Sequence, residues 1–278
     1  MSARLSFAAA ALTTLCACAP AAPVLRIATT TSVDNSGLLE AVLPQFERES
    51  GVDVQTIAVG SGQALQIARR GDASLLITHE PLGERALFDD GLVVYYRKFM
   101  FNRFVIAGPA GDPARVRDAA SAAGAMTRIA RAGALFVSRG DESGTHAREK
   151  TLWRAAGTAP PRGRLIETGQ GMSSTLRVAS EREGYLLTDE ATFARLAGAV
   201  SLHVLYAGDP ALLNTYAVAI LTTARPSRNE AAARFARWLA EGEGQTLIDA
   251  FRINGRPVFF RWPDGVDHAS PESVPRGR

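Results

Sequence analysis

Serine, threonine and glycine gather in four short turns, each lying between a strand-like run and a helix-like run. They are Thr29-Thr30-Thr31-Ser32, Gly60-Ser61-Gly62, Ser138-Arg139-Gly140-Asp141-Glu142-Ser143-Gly144-Thr145-His146 and Gly169-Gln170-Gly171-Met172-Ser173-Ser174-Thr175. A helix that starts in such a turn offers unpaired backbone N–H groups and a partial positive charge, and the hydroxyls add further donors, which is the chemistry of anion capture. The third turn adds Arg139, a planar and permanently charged donor, beside Ser143, Gly144 and Thr145. Taken singly, such a turn is usually a plain helix N-cap, and Arg139 can equally pair with Asp141 or Glu142. Their number and shared position at the carboxyl ends of strands favour a ligand, because that edge is where open α/β sheets bind one.

Other chemistries fit less well. Ser143 and His146 have the types of a nucleophile and its base, but no G-x-S-x-G elbow is present and a serine at a helix start competes for the helix's own N–H groups. No G-x-x-x-x-G-K-[ST] loop is present, so any ATP would be used by a separate partner. The histidines at 79, 146, 203 and 268 follow no metal-ligand spacing, and both cysteines fall in the first 18 residues. No cofactor is expected.

The four turns, together with Ser36-Gly37-Leu38-Leu39 and Gln63-Ala64-Leu65, resemble the tungstate-binding proteins of tungstate ABC importers, the TupA family, over Val24 to Phe251. The resemblance implies a type II periplasmic binding fold. Two α/β lobes, each a mostly parallel sheet flanked by helices, would close on a dehydrated oxyanion in the cleft between them. It implies capture rather than catalysis, with an ABC permease and its ATPase as partners. Carried onto this sequence, the ligand contacts are Thr31, Ser32, Ser61, Arg139, Ser143, Gly144 and Thr145, with Thr30 and His146 as second choices. The Arg139, Ser143, Gly144, Thr145 cluster also resembles the arginine-bearing loop of phosphate-binding proteins of the same fold. A phosphate- or sulfate-binding protein, or an oxyanion sensor module, is therefore the alternative.

His79 bears on that choice. Phosphate keeps a proton at neutral pH and suits an acceptor carboxylate, whereas tungstate and molybdate are bare dianions that only accept hydrogen bonds. Phosphate binders place an aspartate near the point of the sheet where His79 ends Leu75-Leu76-Ile77-Thr78, so a donor here would replace an acceptor; a histidine that merely caps a neighbouring carbonyl is the plainer alternative. Alternation should turn Glu80 away if His79 faces the cleft. The chain departs from the family at Ser61, Ser173, Ser174 and Glu190, where the family often has threonine, glycine, alanine and arginine. Glu190 is expected to point outward, since an acid in the cleft would repel the anion.

The elements that must position these turns follow from periodicity. Val24 to Thr29 reads as a strand, Ser36 to Glu49 as a helix through Leu38, Leu39, Val42, Leu43 and Phe46, Val52 to Val59 as a strand, Gln63 to Arg70 as a helix and Ala73 to Thr78 as a strand. This alternation predicts an α/β fold with a largely parallel sheet. Phe104 to Ala107 is a strand running into the breaker-rich 108–113, where the chain is expected to cross between lobes. Beyond it come a helix over Ala114 to Ala132, strands at Ala134 to Ser138 and Arg164 to Glu167, helices over Gly144 to Ala156 and Ser173 to Glu183, and a strand at Tyr185 to Thr188. Leu202 to Tyr206, a return at Gly208-Asp209-Pro210, the strand Tyr216 to Thr222 and the helix Asn229 to Glu241 complete the pattern. The expected division is 24–105 with 210–260 as lobe I, 106–209 as lobe II and 261–278 as a poorly ordered tail.

Composition sets the outer limits. The chain has 278 residues, 46% of them hydrophobic, enough for two domains of about 100 to 150 residues each. Residues 1–17 read as a signal peptide: Arg4, an apolar run, then Leu15-Cys16-Ala17-Cys18, which fits acylation of Cys18, with ordinary cleavage near Ala19 or Ala22 as the alternative. The mature protein would sit in the periplasm or cell envelope, as a monomer held to the membrane only by its lipid. The formal charge of +3 becomes +2 once Arg4 is removed, and basic residues are dispersed among acidic ones, which argues against nucleic acid.

Overall fold

A computed structural model describes residues 22–222 and 226–263. The leader with Cys18, and residues 264–278 with His268, lie outside the described residues.

The first five elements are β1 (Val24–Thr30), α1 (Thr31–Asn35), α2 (Leu38–Ser50), β2 (Asp53–Val59) and α3 (Ser61–Arg69). β3 (Leu75–Thr78), α4 (Pro81–Asp89) and the long β4 (Val93–Pro109) follow. Next come α5 (Ala122–Arg131), β5 (Phe136–Ser138), α6 (Gly144–Ala155), β6 (Leu165–Glu167), α7 (Met172–Glu181), β7 (Leu186–Asp189), α8 (Glu190–Leu196) and β8 (Leu202–Tyr206). The chain ends in β9 (Leu213–Leu221), α9 (Pro226–Glu241), α10 (Glu243–Ala250), β10 (Arg252–Ile253), β11 (Arg256–Pro257) and β12 (Phe260–Arg261).

The main sheet runs in the order β12-β4-β9-β3-β1-β2, with β7 and β8 joined to β4 off this path. The α/β alternation produces parallel pairs where it was expected, β2 and β3 against β1 and β6 against β5. The sheets are nevertheless mixed, because β9 runs antiparallel to both β3 and β4, and β7 and β8 run antiparallel to β4. β4 is the shared spine: Val93 to Arg103 pairs with β9, and Phe104 to Pro109 pairs with β7 and β8. A continuous strand thus changes partners between Arg103 and Phe104, before the breaker-rich 108–113.

Side-chain alternation sorts the core. On β1 and β3, Leu25, Ile27, Leu75 and Ile77 pack under Val42 and Phe46 of α2, Phe235 and Leu239 of α9 and Ile248 of α10. The opposite face sends Ala28 and Leu76 against Ala64 and Ala68 of α3 and Leu87 of α4. A second pair of cores flanks the far end of β4: Phe104 and Ile106 pack on Met126, Ile129, Leu152 and Trp153, while Ala107 and Leu186 pack on Leu176 and Phe193.

Two expectations fail for local reasons. The helix expected over Ala114 to Ala132 is a 3-10 turn at Val116–Asp118 followed by α5. The Asp112 carboxylate takes the N–H groups of Val116 and Arg117 at 2.9 Å each, and Ser121 caps α5 anew by accepting from Gly124 N at 3.0 Å. The tail stays in the fold two residues past Phe260: Arg261 pairs with Met100, and Trp262 is buried with the Lys98 ammonium 5.0 Å from its ring centroid.

Candidate functional site

All four turns line one cleft of about 440 Å³: Thr31 from the first, Gly60, Gly62 and Gln63 from the second, Arg139, Asp141 and Glu142 from the third, and Gly169, Gln170 and Gly171 from the fourth. Neither Gly60 before α3 nor Gly171 before α7 makes a side-chain cap, so the first N–H groups of both helices are left for a ligand or water. The other two starts are capped by side chains: Thr30 Oγ1 accepts from Val33 N at 3.3 Å and Ser143 Oγ from His146 N at 3.3 Å.

Arg139 is 2% exposed and donates through Nε, at 3.1 Å, and through its Nη2 to Asp141 Oδ2. Asp141 also accepts from Ser143 N at 3.2 Å, so the acid fixes both the guanidinium and the cap. The other acid of the cleft, Glu142, is taken by Lys150 at 2.8 Å, which holds its carboxyl below the usual range. The turn is backed from within by Glu149, which accepts from Ser138 Oγ at 2.9 Å and whose carboxyl burial pushes up to about 7. Gly140 has φ of 59°, and a Cβ there would stand 2.8 Å from Glu167 Cβ, so the close turn requires glycine.

His79 is 5% exposed and engaged through both ring nitrogens. The Asn214 amide nitrogen donates to Asn102 Oδ1 at 2.7 Å and reaches Tyr216 Oη at 2.9 Å, which assigns its Oδ1 to His79 Nδ1 at 2.9 Å. His79 Nδ1 therefore carries the proton, and Nε2 accepts from Ser32 Oγ at 2.9 Å. Of the two roles open in the sequence, a donor to the anion and a cap on a neighbouring carbonyl, Nδ1 takes the second on the Asn214 side-chain carbonyl while Nε2 accepts from Ser32, and burial lowers the ring's pKa from 6.5 to about 4. Ser32 Oγ lies 3.0 Å from Thr30 Oγ1, so both hydroxyls belong to this chain of bonds. Glu80 turns away as expected, its Oε2 accepting from Gly83 N at 2.6 Å to cap α4.

One contact spans the cleft directly: Gly144 N donates to Ser61 Oγ at 3.1 Å. A Cβ on Gly144 would stand 2.9 Å from His79 Cε1 and 3.1 Å from His79 O, so the start of α6 seats against the end of β3 because it has no side chain. Thr145 is buried and its Oγ1 has no partner, an open donor next to this contact. His146 braces the turn, its Nδ1 accepting from Glu142 N at 3.1 Å. Glu190 does not line the cleft; it faces a separate cavity with Phe193, Val204 and Arg256.

The chain has counterparts among known proteins in sequence and in fold. The PBP superfamily domain matches residues 17–243. The chain is 33% identical over 242 residues to the tungstate-binding protein TupA of Peptoclostridium acidaminophilum, covering 84% of each. Two solved structures align with a TM-score of 0.76. One is the tungstate ABC transporter protein from Geobacter sulfurreducens, at 38% identity over 82% of this chain and 98% of that one. The other is the tungstate binding protein TupA from Desulfovibrio alaskensis G20, at 39% over 87% and 100%. The chain belongs to the TupA family.

TupA-family proteins are substrate-binding proteins rather than enzymes, and such components of ABC importers work outside the cytoplasm. Among the described residues of this TupA-family chain, no helix is long and apolar enough to cross a membrane. The resemblance located the turns but missed the groups behind them. Asn214, 135 residues away from His79, and Asn102, which fixes the Asn214 amide, set the proton on His79, and no local pattern marks them. Gly169 and Gly171 were legible as a turn, and the uncapped start of α7 was the signal that they reach the cleft.

Proposed function

We propose that the protein captures tungstate, and its near-twin molybdate, in this cleft and delivers it to an ABC permease and its ATPase. The observation that carries the reading is the seam itself. Donors from both sides meet there, with Ser61 and Gly144 already bonded and the Thr145 hydroxyl and two uncapped helix starts still open. A bare tetrahedral dianion only accepts hydrogen bonds and matches such a donor set, whereas every carboxylate lining the cleft is committed to a basic partner. Residues 24–105 with 210–260 act as one lobe and 106–209 as the other, and anion binding stabilises their closure. The ligand contacts are Thr31, Ser61, Arg139, Gly144 and Thr145, with Ser143, Thr30, Ser32, His79 and His146 holding them. Acylation of Cys18 anchors a monomer at the membrane.

Isothermal titration of the mature protein with tungstate, molybdate, sulfate and phosphate in a phosphate-free buffer tests the reading. Tight binding of tungstate with sulfate and phosphate silent is expected, and Arg139→Ala should weaken it by about 10- to 100-fold through loss of a charged hydrogen-bond donor. Phosphate binding alone, or an Arg139→Ala protein that binds like the parent, contradicts it.

A further inference from the structure

Charge at the cleft does not balance in the way the turns suggest. The Arg139 cation is matched by Asp141, Glu142 is matched by Lys150, and His79 is held neutral by burial and its two bonds. Asp189, wholly buried at the N-cap of α8, has its carboxyl pushed toward the neutral form by desolvation. Hydrogen-bond donors can hold a dianion once it arrives, but attraction at a distance needs net positive charge.

Arg148 supplies it. It lies on α6 three and four residues after Thr145 and Gly144, and therefore on the helix face that begins at the seam. Its guanidinium is half-buried, donates to Ala211 O at 3.1 Å and Leu213 O at 3.2 Å, and sits 5.9 Å over the Phe104 ring. That ring is 6.3 Å from His79, and the Arg148 charge is felt at His79 together with that of Arg139. Carbonyls fix a cation without neutralising it, and among the described residues no carboxylate pairs with Arg148; burial alone shifts its pKa, downward. Its two carbonyl partners lie on the stretch that brings the chain back into β9, and Phe104 lies where β4 changes partners. The charge is thus fixed at both connections between the two sides of the molecule.

We propose that Arg148 is the unneutralised cation that draws a dianionic oxyanion into the cleft, a positioning and charge-selecting residue acting beside the donors that touch the ligand. The proposal rests on the tungstate reading above. Its test is titration and stopped-flow binding of tungstate to the parent, Arg148→Lys and Arg148→Gln proteins at low and high ionic strength, with thermal unfolding as a check of the fold. Glutamine keeps donors for the two carbonyls and removes the charge. The expected result is about tenfold weaker binding in Arg148→Gln, slower association and a flatter salt dependence, with Arg148→Lys within about threefold of the parent. Arg148→Gln binding like the parent, or Arg148→Lys failing as badly as Arg148→Gln, overturns the charge role. Silence of the parent protein toward tungstate overturns the underlying reading, a result distinct from a loss confined to the variants.

Discussion

His79 enters the site as a base whose proton is placed by Asn214, and its only free-standing role is to receive the Ser32 hydroxyl. That arrangement carries a stability cost in acid. The ring's folded pKa of about 4 lies below its ordinary value of 6.5, so between those values the unfolded chain binds more protons. Its contribution is therefore full above about pH 6.5, falls as pH drops, and at about pH 4 has lost about 3 kcal/mol. Glu149 acts with the opposite sign, since its raised pKa favours the fold below the usual carboxylate range and that gain is lost as pH rises through about 7. Comparing urea unfolding of the parent and His79→Gln across pH 4 to 7 isolates the histidine, because Glu149 is common to both. The parent should lose stability toward acid more steeply than the variant; parallel curves would show that the ring is not held neutral. The sequence left His79 open between a donor to the anion and a cap on a neighbouring carbonyl, and it could not decide because the proton's position is set by Asn102, Asn214 and Tyr216, which only the folded β4 and β9 bring near.

Helix starts are the elements from which the cleft is built, and they were the most legible part of the chain. Each of α1, α3, α6 and α7 begins within a residue or two of where Ser, Thr and Gly follow an apolar run. The expected Ala114 to Ala132 helix failed because Asp112 and Ser121 cap two separate segments, a competition between side-chain and helical partners that periodicity does not report. Breakers at 108–113 suggested a crossing loop, whereas the continuous β4 makes the connection, since its residues can pair on one side with β9 and on the other with β7 and β8. The start of α6 makes a sharp element-level prediction. Gly144→Ala keeps the backbone N–H but places a methyl 3.1 Å from His79 O, so α6 must back away from Ser61. Tungstate affinity should fall more than tenfold while the thermal midpoint barely moves, because the clash is relieved by separating the two sides. Calorimetry giving affinity within twofold of the parent would mean that this seam is not part of the bound state.

On the scale of the whole molecule, two helix-flanked regions share the strand β4 and face each other across a seam made of donors, and the fold is shared with TupA-family relatives over more than four-fifths of the chain. Alternation of strand and helix made the α/β class readable, but the antiparallel entry of β9 between β3 and β4 was not, because it depends on a pairing more than 100 residues distant. The ordered end past residue 260 was missed for a similar reason: Trp262 stands at the start of a polar, proline-rich run, yet it is buried against the fold. The proposed seat of the tetrahedral oxyanion is the seam between Ser61 and the Arg139 to Thr145 turn. The direct measurement is anomalous diffraction at a tungsten absorption edge from crystals of the mature protein grown with tungstate. A single strong peak within hydrogen-bonding distance of Arg139, Thr145 and the starts of α3 and α6 is the predicted result; a well-ordered cleft without a peak, or a peak bound elsewhere on the molecule, would contradict it.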